Sequence, residues 1–282
     1  LQAVRDGKFD WGNYLLVTIG LVFAHATNNL INDYTDHKRG VDQGNYYRTQ
    51  YGPQPLEQGL MTTRQWLGYT TITGLIAIAA GLPLILQRGL PALILTLIGA
   101  TFVLFYTWPL KYIGMGEIAV FLIWGPLMIA GSYFVITGIS EWAQILQITL
   151  ISLPYALGPT SVLFGKHIDK SEADRAKKIY TLPVILGEKI ARYAVLVMFA
   201  LMYLLVILFV ILGYFEAWML IVLLAAASLP RPVGMYLKPR PKEKPANLEE
   251  GLWPLWFSAA SFYHTRVYGM LFVLGLILQI LF

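Results

Sequence analysis

The chain has 282 residues, of which 57% are hydrophobic and only 13% charged, and its mean hydropathy is +0.59. This composition excludes an ordinary soluble domain and points to an all-α polytopic membrane protein. The net charge of +5 is read as basic residues gathered in the loops on one side of a membrane, with no nucleic-acid partner, and the absence of cysteine excludes disulfides, thiolate metal sites and cysteine nucleophiles.

The chain opens on Leu1-Gln2-Ala3-Val4-Arg5-Asp6-Gly7-Lys8. This has neither an initiator Met nor the order of a signal peptide, so residues are expected to be missing from the front. Apolar runs of about 20 residues, the length needed to cross a bilayer, follow at about 12–33, 65–87, 90–108, 117–137, 144–165, 184–213, 215–229 and 264–282. The expected architecture is therefore a bundle of eight transmembrane helices, forming one domain over residues 1–282. The run at 184–213 is long enough to require tilt or extension beyond the bilayer.

The first run ends in Asn28-Asn29-Leu30-Ile31-Asn32-Asp33-Tyr34-Thr35-Asp36-His37-Lys38-Arg39-Gly40-Val41-Asp42. Amides and carboxylates are costly in a bilayer-length segment, so this stretch is the first functional candidate. On a helix Asn28, Asn32 and Asp36 fall on one face, with His25 a further turn back, and Gly40 lets the backbone turn so that Asp42 can swing toward Asp36.

The connections after the first, third, fifth and seventh runs are polar, and the others are a few residues long. The polar connections and adjoining helix ends hold 18 of the 21 Lys and Arg residues, leaving Arg5, Lys8 and Arg88. Such a bias places these connections, and the Asn28–Asp42 stretch with them, in the cytoplasm. The Pro-, Lys- and Glu-rich segment 230–252 reads as a solvated loop.

A second polar cluster, Lys166-His167-Ile168-Asp169-Lys170-Ser171-Glu172-Ala173-Asp174-Arg175-Ala176-Lys177-Lys178, follows the fifth run on the same side. Two acidic clusters facing each other across a bundle suggest divalent cations. Their hard oxygen ligands suit Mg²⁺, which takes one or two carboxylates and completes its shell with water and phosphate. The interleaved Lys and Arg complete a diphosphate site, in which the charge leaving with the diphosphate is stabilised where it develops.

Asn32-Asp33-Tyr34-Thr35-Asp36, with Lys38, Gly40 and Asp42, resembles the first aspartate-rich motif of the UbiA superfamily of intramembrane prenyltransferases. Asp169 to Asp174, followed by Thr181-Leu182-Pro183 and Leu186-Gly187, resembles the second. Within the superfamily, Gly40 and the acid at Asp42 are most similar to the 1,4-dihydroxy-2-naphthoate enzymes of menaquinone synthesis. Gly52-Pro53, Gly59-Leu60-Met61-Thr62, Tyr106-Thr107-Trp108-Pro109-Leu110-Lys111-Tyr112-Ile113-Gly114, Gly116-Glu117 and Gly131-Ser132 agree with that branch. One departure is that the second motif usually spaces its acids four apart, whereas Asp169 and Asp174 are five apart, with Lys170 where the first acid would fall. Five residues are about 140° off on a straight helix, so the two share a site only if the helix ends between them; Glu172 is the alternative. The family has nine helices with its first motif after the second, which implies that the first family helix is absent here.

The resemblance implies transfer of a polyprenyl group from a polyprenyl diphosphate to an aromatic acceptor, with Mg²⁺ as cofactor, two ions being expected. One ion is assigned to Asn32, Asp36 and Asp42, the other to Asp169 and Asp174. Arg48, Lys111, Lys166, Lys177 and Lys178 are candidate diphosphate contacts, and Asn28 and Tyr106 candidate substrate contacts; an interfacial anchor is the other reading of Tyr106. His25 and His264 are read as hydrogen-bonded bundle residues. Other acceptors, namely 4-hydroxybenzoate, homogentisate, a chlorophyllide-like ring or a lipid headgroup, keep the fold and change the chemistry of the product. A cation- or proton-coupled transporter is the competing class, and it expects acids at the bilayer midplane and inverted halves.

Overall fold

The computed structural model describes residues 1–41, 43, 53–246 and 253–282, and no strand occurs among them. In chain order the helices are α1 (Gln2–Arg5), α2 (Trp11–Lys38), α3 (Thr63–Arg88), α4 (Leu90–Phe105), a 3-10 turn at Leu110–Ile113, α5 (Gly116–Leu122), a π segment at Ile123–Ala130 and α6 (Gly131–Thr137). Then come α7 (Trp142–Asp169), α8 (Ser171–Ala176), α9 (Leu182–Leu186), α10 (Glu188–Ile211), a 3-10 helix at Ala217–Ser228, α11 (Pro230–Tyr236) and α12 (Phe257–Leu281).

All eight apolar runs are helical, but eight crossing helices is not the count found. Among the described residues six segments are long and apolar enough to span: α2, α3, Gly116–Thr137, α7, α10 and α12. The run at 215–229 forms the Ala217–Ser228 helix, which with α11 makes a pair bent by 57°, a seventh span if the two are counted as one. Pro230 and Pro232 lack the N–H groups that would carry the first helix onward. The run at 90–108 yields only the 16 residues of α4, about 24 Å of helix against about 30 Å of hydrocarbon.

The Gly116–Thr137 span is irregular where Pro126 removes a backbone donor, and its middle relaxes into the π segment. α7 is the most buried span and packs against α5, the π segment, α10 and α12. Gly158, Ser161 and Gly165 keep one of its faces small, which lets neighbouring backbones approach, as in membrane bundles generally. At Gly165 a Cβ would lie 2.7 Å from the backbone of Phe257, so the start of α12 crosses directly over α7. Trp66 on α3 donates its indole N–H to the Leu30 carbonyl of α2 at 2.8 Å and stacks on Tyr34 at 4.1 Å between ring centroids. Outward-facing Leu67, Ile72, Ile78 and Leu86 on α3 are exposed, as lipid-facing side chains are.

Candidate active site

The polar face of α2 meets the segment containing α4 and the 3-10 turn through a regular ladder. Asn28 donates its amide N–H to the Val103 carbonyl at 2.9 Å, Thr107 donates its hydroxyl to Asn32 Oδ1 at 3.0 Å, and Lys111 Nζ donates to both oxygens of Asp36, at 2.9 and 3.1 Å. Each rung joins residues 75 apart, because the four-residue spacing of Asn28, Asn32 and Asp36 is matched by that of Val103, Thr107 and Lys111. The helical face expected from spacing is therefore real, and its partner is an equally spaced face.

α2 ends in a glycine cap. Gly40 sits at φ 63°, its N–H donates to the His37 carbonyl at 3.0 Å, and Val41 N–H donates to the Asp36 carbonyl at 2.8 Å, the two bonds of a Schellman motif. Asp36 thus lies in the last turn, three residues before the C-cap, and its side chain is 1% exposed. The second cluster repeats this geometry on α8. Lys178 N–H donates to the Arg175 carbonyl at 3.1 Å and Ile179 N–H to the Asp174 carbonyl at 2.8 Å. Asp174 takes the place of Asp36, and Lys178, at φ 58°, takes the place of Gly40. The C-cap residue Lys177 joins the two caps by donating to the carbonyls of Gly40 at 3.0 Å, Gln43 at 2.8 Å and Val41.

The helix does end between Asp169 and Asp174: α7 stops at Asp169 and α8 starts at Ser171. Asp169, however, does not turn toward Asp36. Its two carboxylate oxygens accept the backbone N–H groups of Phe257 at 3.1 Å and Ser258 at 3.0 Å, and its carbonyl accepts from Arg240 at 2.9 Å. These are orphan donors of the first turn of α12, so Asp169 serves as a cap, a role that the five-residue spacing makes available. Asp174 is buried beside Lys170, with Nζ 3.4 Å from Oδ1, while Asp174 Oδ2 has no hydrogen-bond partner. Burial pushes the pKa of Lys170 down, and the neighbouring Asp174 carboxylate opposes that shift.

A narrow cleft of about 20 Å³ is lined by Asn32 and Asp36 from α2, Tyr106 and Lys111 from the region after α4, and Lys166, His167 and Lys170 from the end of α7. Behind it His167 Nδ1 lies 2.5 Å from Glu117 Oε1, and Glu117 Oε2 accepts the Leu182 N–H at 3.2 Å. The structure therefore brings together Asn32, Asp36, Tyr106, Lys111 and Lys166. Asn28 points its amide at a backbone carbonyl, Lys177 is engaged by the α2 cap and Lys178 is exposed. Asp42 and Arg48 lie outside the described residues. Sequence reasoning passed over Lys170, His167 and Glu117 as site residues; the signal was Glu117, a lone carboxylate inside an apolar run, which requires a partner. His264 is buried between the hydroxyls of Ser228 at 2.7 Å and Tyr203 at 3.3 Å, and His25 packs edge-on against Trp124.

Asp36 and Asp174 are buried carboxylates in the last turns of helices, where the helix dipole disfavours negative charge. A cation offsets both costs, and in this structure Lys111 and Lys170 supply it. Among the described residues no three acidic or imidazole groups converge on one point. The donors present are nevertheless hard oxygens, and the unpartnered Asp174 Oδ2 is the sort of atom a cation or its water would satisfy. The donor set thus suits a small divalent ion, and the neighbouring ammonium groups suit an anion.

The family model described as the UbiA prenyltransferase family matches residues 1–253. The chain is 26% identical over 229 residues to a 1,4-dihydroxy-2-naphthoate octaprenyltransferase of Bacillus subtilis, covering 80% of this chain and 70% of the relative. It is 29% identical over 201 residues to a digeranylgeranylglyceryl phosphate synthase of Thermococcus gammatolerans, covering 68% of this chain and 62% of that protein. Its fold matches the apo structure of a UbiA homolog from Aeropyrum pernix with a TM-score of 0.71 at 18% identity, over 96% of this chain and 90% of that one.

Proposed function

The chain belongs to the UbiA prenyltransferase family, and on that premise we propose that it transfers a polyprenyl group from a polyprenyl diphosphate to 1,4-dihydroxy-2-naphthoate, with the cleft open to the cytoplasm. One observation carries this reading. Asp36 and Asp174 occupy the same position in two identically capped helix ends, and Lys177 ties those ends together beside a cleft lined by Lys111, Lys166 and Lys170.

Asn32, Asp36 and Asp174 are the described residues that would hold Mg²⁺, joined by Asp42. When bound, the ion neutralises charge on the diphosphate as a Lewis acid. Lys111, Lys166 and Lys170 donate to diphosphate oxygens, and Asp36 orients Lys111 for that task. The allylic C–O bond breaks with its electron pair leaving on the diphosphate. An electron-rich ring carbon then bonds to the allylic carbon, and the carboxylate of the naphthoate leaves as CO₂, the bonding pair of its C–C bond returning to the ring to restore aromaticity. Glu117 holds His167 through Nδ1, which leaves Nε2 as the nitrogen able to take a proton from an acceptor hydroxyl. Tyr106 presents a ring at the cleft whose π face suits a carbocation.

The Thermococcus relative favours a second reading, in which a glyceryl phosphate lipid is the acceptor. Incubating purified protein with a prenyl diphosphate, Mg²⁺ and either acceptor decides between them by the mass of the product.

A further inference from the structure

The polar face of α2 continues inward past the cleft. Asn32 and Asp36 line the cleft, and His25, Asn29, Asn32 and Asp36 follow the i, i+4, i+7, i+11 spacing of one helical face. Asn29 therefore lies about 10 Å, and His25 about 16 Å, deeper along the helix than Asp36, and His25 is at the middle of the 28-residue span. Both side chains are exposed on that face. They share one long contact, 3.4 Å from Asn29 Nδ2 to His25 Nε2, and neither makes another hydrogen bond among the described residues. Opposite them stands Trp124 of the π segment, edge-on to the His25 ring with centroids 5.7 Å apart and planes at 81°. Polar groups left open at this depth are costly and mark substrate paths, and π segments recur at functional sites.

We propose that His25, Asn29 and Trp124 form the subsite that selects the acceptor: the amide and the imidazole hydrogen-bond a hydroxyl of a hydroxylated aromatic ring, and Trp124 packs against that ring. The proposal rests on the reading of the chain as a prenyltransferase with an aromatic acceptor. A prenyl diphosphate carries its oxygens at one end and only hydrocarbon beyond, so it has nothing to offer an imidazole and an amide at the middle of the span. The acceptor is the substrate with polar groups on more than one edge. With one hydroxyl at His167 in the cleft, the hydroxyl para to it reaches roughly one helical turn deeper, about 5.4 Å, which is the step from Asn32 back to Asn29. The amide and the imidazole each supply a donor and an acceptor for it.

Anaerobic titration calorimetry on the full chain in detergent, loaded with Mg²⁺ and a non-hydrolysable prenyl thiodiphosphate, tests this with two probes: 1,4-dihydroxy-2-naphthoate and 1-hydroxy-2-naphthoate, which lacks the para hydroxyl. The unaltered chain is expected to bind the dihydroxy compound about tenfold more tightly, and that preference is expected to vanish in His25→Leu and Asn29→Leu, whose thiodiphosphate affinity stays unchanged. Retained thiodiphosphate affinity marks the variants as folded; where Leu is not tolerated, His25→Phe and Asn29→Ala carry the same comparison. A preference that persists in the variants, or one that is absent from the unaltered chain, overturns the proposal while leaving the naphthoate reading in place. Binding of neither naphthoate to the unaltered chain overturns both.

Discussion

Lys111 and Asp36 lie 75 residues apart and meet in a buried ion pair at 2.9 Å. The pair is the last rung of a ladder whose other rungs, Asn28 to Val103 and Asn32 to Thr107, hold the first motif against the segment after α4. The ladder places a carboxylate, an amide and an ammonium at one end of the bundle without relying on a flexible loop.

Removing one partner of this pair strands the other. Asp36→Ala or Lys111→Met is expected to cost about 3–5 kcal/mol of stability, visible as a drop in thermal midpoint. The double variant should cost less than the two summed, because contacting residues are not additive. Activity should fall in all three, since Asp36 also serves the substrate.

Asp169 and Asp174 should separate cleanly. Asp169→Ala removes the cap of α12 and is expected to destabilise by about 1–2 kcal/mol while leaving Mn²⁺ affinity in the presence of thiodiphosphate unchanged. Asp174→Ala should weaken thiodiphosphate affinity through loss of the Lys170 anchor. Thermal unfolding and binding titrations on the same preparations distinguish a cap from a site residue.

Lys178 is a non-glycine residue in the left-handed region, a conformation that costs an ordinary residue roughly 1–2 kcal/mol. Lys178→Gly is expected to raise the thermal midpoint and keep activity, because the side chain is exposed. Lys177→Met should lower activity, since it cuts the bonds that join the two caps.

Glu117→Gln should keep the packing of His167 but disturb its ring protonation. The expected result is a fall in kcat of roughly a hundredfold to ten-thousandfold, in the range of general acid–base effects, with little change in KM for the prenyl diphosphate. A matched loss in KM would mark the pair as part of diphosphate binding instead.

The face formed by Asn28, Asn32 and Asp36 was legible because helical spacing dictates it, and the glycine that ends α2 was legible because Gly40 follows the last polar residue. The second motif was legible as a cluster but not in its division of labour. Spacing shows that Asp169 and Asp174 cannot share a straight helix; it does not show that the first turn of α12, nearly 90 residues later, offers N–H groups to Asp169. Burial of Lys170 and the pairing of Glu117 with His167 likewise depend on tertiary contacts between distant segments. The apolar runs marked helices well but marked crossings less well. Proline at 230 and 232 bends one segment, and α4 is shorter than its run, because composition measures apolarity and not where a helix stops.

The most direct test of the central claim is a prenylation assay with purified protein, a polyprenyl diphosphate, 1,4-dihydroxy-2-naphthoate and Mg²⁺, run beside the Asp36→Ala/Asp174→Ala double variant. Formation of the prenylated naphthoate by the unaltered chain, with loss of at least a hundredfold in the double variant, is the predicted result. Full activity in that double variant would contradict the placement of the reaction in this cleft.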